Sequence, residues 1–218
     1  MKIKAIVFDH DGVIVRLSEL VKRGSWAFVA YHPDFGNRRS IIAKGEDYAD
    51  SVKGNRFDVL QHALREVGKS EEEIPQLVAK HAKRFDDILQ EGIRALGVAS
   101  EDRETIRNLS LRHPLYINSG TTEKEMRETV NAMGLGSYFK GVFGQPTKKV
   151  PNLERAMKSE NCAPEEILFI GDGKGDFDAS QIFGCQFLGL ANSWNEWANE
   201  ETPFQKIFSL SEIENHLN

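Results

Sequence analysis

Two aspartates one residue apart, Asp9 and Asp11, end the apolar run "IVFDHDGVIV" (6–15) and are followed at once by Gly12. Aspartate is a poor strand former and like charges this close repel, so the pair needs something to offset it. Two further carboxylates, Asp172 and Asp176, lie in the glycine-rich "GDGKGDFD" of 171–178. Carboxylates clustered without imidazole or thiolate partners suit a hard divalent cation such as Mg2+, which prefers oxygen ligands. "NSGTT" at 118–122 adds the Ser119 and Thr121 hydroxyls and amides that open a helix, and "GQPTKKV" at 144–150 adds Lys148 and Lys149. A hydroxyl, helix-terminal amides and an ammonium suit the oxygens of a phosphoryl group. One carboxylate can then attack phosphorus, while another, two residues on, gives and takes a proton.

Such chemistry requires the four segments to share one rim. Short apolar runs at 4–8, 114–118, 141–143, 166–170 and 186–190 read as strands, and 122–133, 149–159 and 175–183 read as amphipathic helices between them. This alternation predicts βαβ crossovers and a parallel sheet, an α/β fold. The nearly unbroken apolar runs fit strands buried on both faces. Ligands of such sheets bind at the carboxyl ends of the strands, where all four segments fall. Residues 16–92 differ, with helical periodicity and almost no strand signal. In "PQLVAKHAKRFDDIL", Leu77, Val78, His81, Phe85, Ile88 and Leu89 share one helical face. Ser70 and Glu73 form a capping-box pattern before it, with Pro75 as the competing mark of a first turn. The expected organisation is an α/β core of 1–15 and 93–218, with an all-α insertion at 16–92 as a candidate lid.

With 218 residues, 40% hydrophobic and 28% charged, the chain has the composition of an ordinary globular protein. A net charge of −5 carries no nucleic-acid footprint, and no apolar stretch is long enough for a signal peptide or a membrane span. Cys162 and Cys185 lack metal-ligand spacing and read as free thiols in a reducing cytoplasm. Oligomeric state, monomer or dimer, is not legible. Strand alternation turns the His10 side chain away from the flanking aspartates, which makes it a packing or pocket-wall residue. Asp178 serves the early turn of its helix. Trp194 and Trp197 of "NSWNEW" wall the rim or, at three-residue helical spacing, pack in the core. His32, His62, His81, His113 and His216 form no ligand-spaced set and are expected to bind no metal.

The order "DHDG", "INSGT", Lys149, "GDGKGD" resembles the four motifs of the haloacid dehalogenase-like hydrolase superfamily, across the whole chain, with 16–92 in place of the helical cap. The resemblance implies a Rossmann-like parallel sheet core flanked by helices, with a small all-α cap domain inserted after strand 1. It makes Asp9 the nucleophile that becomes phosphorylated and Asp11 the general acid and base, with its backbone carbonyl on the metal. Ser119 and the Gly120 amide would hold a phosphoryl oxygen, and Lys149 would neutralise the nucleophile and the transferring group. Asp172 would bind Mg2+, and Asp176 would bind it through water or position Lys149. Lys148 rivals Lys149, because the family's lysine often directly precedes proline and here "KKVP" intervenes.

Members resembling dehalogenases lack an acid at the position of Asp11, so its presence favours phosphoryl transfer. The expected function is a Mg2+-dependent phosphatase acting on a small phosphorylated metabolite, with a phosphosugar mutase as the alternative. "VKGNRFDVLQHAL" (52–64) resembles the cap segment that faces the active site, which makes Lys53, Asn55 and Arg56 substrate contacts unless the segment is a solvated corner. Arg38 and Arg39 in "YHPDFGNRRS" read as ordinary surface. A phospho-receiver domain would need its acceptor aspartate at the end of a middle strand, but the region of Asp50 and Asp58 reads as helical. A catalytically idle binding module has no support, because all the expected groups are present.

Overall fold

The computed structural model describes residues 2–36 and 56–217. Two compact units make up the chain, one of Met1–Glu19 with Leu96–Asn218 and one of Leu20–Ala95. The first is built on a six-stranded sheet in the order β3-β2-β1-β4-β5-β6. Its strands are β1 (Ala5–Phe8), β2 (Leu115–Thr122), β3 (Gly141–Gln145), β4 (Ile167–Gly171), β5 (Gln186–Leu190) and β6 (Gln205–Ile207). All neighbours pair in parallel. The fold is an α/β, Rossmann-like sheet flanked by helices, with a small all-α cap domain inserted after the first strand.

All four residues of β1 are buried, as are all five of β4. Ala5, Val7, Tyr116, Phe143, Ile167 and Phe169 join one core with Leu153 and Ala156 of the helix Lys149–Glu160. On the other face Phe8 meets Phe139 edge-on at 6.1 Å. Burial on both faces makes β1 and β4 a rigid pair, so the residues directly after each strand are held firmly. Residues of β1 lie level with Ile117 of β2 and Ile170 of β4 at the shared position of Phe8. One step further, Asp9 is therefore level with Asn118 and Gly171. The strand order reverses between β1 and β4, and ligands of open α/β sheets bind at such a switch point.

Three elements depart from the sequence reading. β2 does not stop at 118 but runs to Thr122, with a register irregularity between Asn118 and Thr122. β6 has a single apolar residue, Ile207, facing inward from a three-residue edge strand, too short for an alternation signal. Residues 192–197 form turns, not a helix, so helical spacing does not apply to Trp194 and Trp197. Trp197 packs against Phe187 and Phe204, its ring centroid 4.8 Å from that of Phe204.

The all-α unit contains most of α1 (Ser18–Ala30), α2 (Arg56–Glu66) and α3 (Ile74–Leu96), and the sheet unit carries α4 (Ser100–Ser110), α5 (Glu123–Ala132), α6 (Lys149–Glu160) and α7 (Lys174–Phe183). Trp26 lies against Phe85 with centroids 4.2 Å apart, inside a core that also holds Phe35, Leu60, Leu64 and Ile93. Ser70 and Glu73 close the turn before α3 reciprocally, each backbone N–H reaching the other's side chain at 3.1 and 3.4 Å. Pro75 then occupies the first turn of α3, so both sequence signals operate. Among the described residues no helix is long and apolar enough to cross a membrane.

Candidate active site

Asp9 leaves β1 with its backbone N–H bonded to Ile170 O at 2.8 Å, which ties it to β4. Its own Oδ1 accepts the His10 N–H at 2.8 Å. Asp172 follows β4 directly, and Asp176 lies in the first turn of α7 (Lys174–Phe183), where its Oδ2 accepts the Gly173 N–H at 3.1 Å. One oxygen from each of Asp9, Asp172 and Asp176 lies within 4.8 Å of the other two. Side-chain-free corners allow this crowding. A Cβ on Gly12, which has φ +74°, would strike the Asp172 carboxylate, and one on Gly171 would strike Asp176.

A lysine serves two of these carboxylates. Lys149 opens the helix α6 (Lys149–Glu160), and its Nζ lies 3.1 Å from Asp9 Oδ2 and bonds to Asp176 Oδ1. Lys148 occupies the N-cap position just outside that helix, which distinguishes the two lysines. Two buried asparagines hold the start of α6. Asn118, fully buried, donates to Lys149 O at 2.9 Å and accepts from Asn152 at 3.1 Å. An asparagine closing an otherwise apolar strand was the available signal, because a buried amide needs partners.

Electrostatics mark the cluster as short of positive charge. Burial pulls the Lys149 ammonium down, but Asp9 and Asp176 outweigh it and hold it above its ordinary range. Burial raises Asp9, against the opposing pull of Lys149. Burial also pushes Asp172 up to about 6, partly countered by a hydrogen bond from Asn192. Among the described residues these three buried or half-buried carboxylates share the Lys149 ammonium, a cluster that could hold a metal ion. The all-oxygen donor set fits a hard divalent ion.

Asp11 is not in that trio. Its side chain is 42% exposed and its Oδ1 lies 3.0 Å from His10 Nδ1. This corrects the expectation that His10 points away from both aspartates: the chain turns directly after β1, so strand alternation no longer holds at His10. Ser119 is buried, and its Oγ accepts the Thr121 N–H at 3.1 Å within the strand extension, ahead of the helix Glu123–Ala132. Gly120 beside it is exposed. Lys53 and Asn55 lie outside the described residues, as do Arg38, Arg39 and Asp50. Arg56 begins α2, is ion-paired with Asp86 and has its guanidinium 5.7 Å from the Phe85 ring centre, and Asp58 lies in the same helix. Asp178 pairs with Lys174 at 2.6 Å.

The sequence of the loop after β5 points to its tryptophans, yet its asparagines touch the site. Asn192 Nδ2 donates to Asp172 Oδ2 at 2.9 Å, and Asn195 Nδ2 donates to Asp172 O at 3.0 Å and to Leu190 O at 2.9 Å. The two are locked together, since the Asn192 N–H donates to Asn195 Oδ1 at 3.1 Å. Outer partners of this kind orient a ligating carboxylate, and losing one typically costs about 10–100-fold in metal affinity. Asn192→Ala is expected to weaken divalent-metal binding by about tenfold while leaving the melting temperature of the metal-free protein nearly unchanged. Calorimetric metal titration beside a thermal melt checks this.

Two of the histidines come together in space. His32 and His81 meet across Asp34 in the all-α unit, although 49 residues separate them in sequence. Sequence spacing could not show this, because the two come from different elements. Bonds from Lys80, and then from His81, hold the Asp34 carboxyl down at about 2, while burial lowers His81.

A family model described as haloacid dehalogenase-like hydrolase matches residues 6–190. The chain belongs to this family. Among haloacid dehalogenase-like relatives, the phosphoglycolate phosphatase of Pectobacterium atrosepticum is 25% identical over 202 residues, which cover 88% of this chain and 82% of that protein. The pyrophosphatase PpaX of Oceanobacillus iheyensis is 22% identical over 218 residues, covering 95% and 90%. A solved structure of a predicted phosphoglycolate phosphatase from Haemophilus somnus superposes with a TM-score of 0.73 at 17% identity, over 100% of this chain and 99% of that one. At that identity the likeness speaks for the fold alone.

Proposed function

We infer that the protein is a Mg2+-dependent phosphatase that hydrolyses a small phosphomonoester through an aspartyl-phosphate on Asp9. The observation that carries this reading is the Lys149 ammonium set between Asp9 and Asp176, with Asp172 within 4.8 Å of both carboxylates, at the end of β1. Asp9, Asp172 and Asp176, with the Asp11 carbonyl, would hold Mg2+, which neutralises charge on the phosphoryl oxygens and among the carboxylates. Asp9 Oδ attacks phosphorus and the bond from phosphorus to the ester oxygen breaks. The half-exposed Asp11 gives its proton to the leaving oxygen, then takes one from the water that cleaves the acyl phosphate. Lys149 keeps Asp9 ionised and steadies the transferring group. Ser119 Oγ accepts from Thr121, so its own hydrogen is available to a phosphoryl oxygen, with the Gly120 amide beside it.

Support for the substrate class comes from relatives named phosphoglycolate phosphatase, which makes 2-phosphoglycolate the first ester to try, with pyrophosphate as a comparison arm. Phosphate release from p-nitrophenyl phosphate and from 2-phosphoglycolate, with Mg2+ and with EDTA, tests the reading. Turnover is expected only with the metal, and release undiminished by EDTA would reject it.

The pH response has a definite sign. Burial pushes the Asp172 carboxyl up to about 6 in the folded protein, above its unfolded value of about 3.9, so folding favours its protonated form. Its contribution to metal-free stability is therefore present below about pH 4 and is lost as pH rises through about 6. Metal binding runs the other way, because the proton and the cation compete for one carboxylate. Burial pushes Asp176 up to about 7 as well, so apparent Mg2+ affinity is expected to weaken as pH falls below about 7, by up to about tenfold per pH unit for each carboxylate that takes a proton. Titrations at several pH values check this.

A further inference from the structure

The all-α unit holds a second group of ligating side chains that the phosphatase reading does not use. His32 and Asp34 flank the first residue of a 3₁₀ turn, Pro33–Phe35, and His81 projects from α3. Asp34 Oδ2 lies 2.8 Å from His81 Nε2 and 3.3 Å from His32 Nδ1. The two imidazoles meet edge-on with centroids 4.7 Å apart, and one donor atom from each of the three residues lies within 4.8 Å of the others. Donors around a tetrahedral Zn2+ with bonds of about 2.0–2.2 Å are spaced about 3.3–3.6 Å apart. The Asp34–His32 spacing of 3.3 Å matches that range, and the 2.8 Å hydrogen bond from Asp34 to His81 has to open by about half an ångström to admit the ion.

A cation already visits this point. The Lys80 ammonium lies 2.9 Å from the same Asp34 Oδ2. The Lys80 side chain is 51% exposed, whereas that of His81 is fully buried and so fixed in place. The lysine can swing into water without disturbing the other three.

We propose that His32, Asp34 and His81 form a binding site for a borderline divalent ion such as Zn2+, which displaces Lys80 and ties the turn to α3. Imidazole with carboxylate selects Zn2+, Co2+ or Ni2+ over Mg2+, so this site differs in chemistry from the all-oxygen cluster at Asp9. Binding at His81 Nε2 leaves the ring proton on Nδ1, which has no other partner among the described residues. The His32 Nδ1 exchanges its bond from the Asp34 N–H, 3.2 Å long, for the metal.

The test uses the full chain and two probes, Co2+ followed by its visible absorption and Zn2+ followed by calorimetry. The carboxylates at Asp9 also attract such ions, so Asp172→Asn provides the background in which only the second site is read. In that background, one equivalent of Zn2+ is expected to bind and to raise the melting temperature. His32→Gln, a change at a half-buried residue, is expected to remove the imidazole-type Co2+ spectrum and weaken Zn2+ at least about tenfold. Lys80→Gln is expected to tighten Zn2+ by removing its competitor. A Co2+ spectrum untouched by His32→Gln, or Zn2+ affinity unmoved by both substitutions, would overturn the proposal. Failure of the phosphatase assays leaves these readings intact, because they do not involve turnover.

Discussion

Asp9→Asn is expected to lower kcat by about 10⁴-fold or more while the protein remains folded. The amide cannot form the acyl phosphate, and among the described residues the neighbouring carboxylates are otherwise engaged: Asp176 by Lys149 and the Gly173 N–H, Asp172 by Asn192, and Asp11 beside His10. Stability should hold. Burial disfavours charge on Asp9, and the substitution removes a charge that Asp11 and Asp172 oppose. Lys149 keeps its bond to Asp176. The checks are initial rates with p-nitrophenyl phosphate and thermal melts of both proteins. Rates within tenfold of wild type in a clean preparation would remove Asp9 from the nucleophile role.

Lys149→Met is expected to harm both rate and stability. Its stem is matched by methionine, so the loss isolates the ammonium. Without it Asp176, whose side chain is 3% exposed, keeps only the Gly173 N–H bond among the described residues. Breaking a buried pair by removing one partner typically costs about 3–5 kcal/mol, and removing a donor aimed at developing charge costs about 10²–10³ in kcat. Mg2+ should recover part of the stability and little of the rate, because it offsets the carboxylates without replacing the contact to Asp9. Denaturant melts with and without Mg2+, beside kcat, separate the two effects. Lys148→Met is the control and should behave as wild type, since Lys148 stands outside the first turn of α6.

Much of the core was legible because its strands are buried on both faces. "KAIVF" and "EILFI" are short, β-branched and aromatic apolar runs bounded by turn signals, as such strands are, and their ends carry Asp9 and Asp172. The carboxylate trio results from parallel pairing of β1 with β4, which alternation with helices already required. The features that stayed hidden depend on chain reversal. The loop at 192–197 folds back so that two asparagines grip Asp172, a contact set by turns and not by periodicity. His10 bonds Asp11 because the strand has already ended there. In the sequence Lys149 is told from Lys148 only by which one begins the helix, and helix boundaries are the least legible feature of a sequence. His32 and His81 come together through tertiary packing of two elements, which no local spacing encodes.

The central claim is that Asp9 carries the phosphoryl group. Borohydride reduces an acyl phosphate of aspartate to homoserine, so quenching the enzyme with borohydride during turnover of p-nitrophenyl phosphate and sequencing its peptides by mass spectrometry reads the position directly. Homoserine at position 9, dependent on Mg2+ and absent without substrate, is the predicted result. Sustained turnover with Asp9 unmodified, or with homoserine at another carboxylate, would contradict the account.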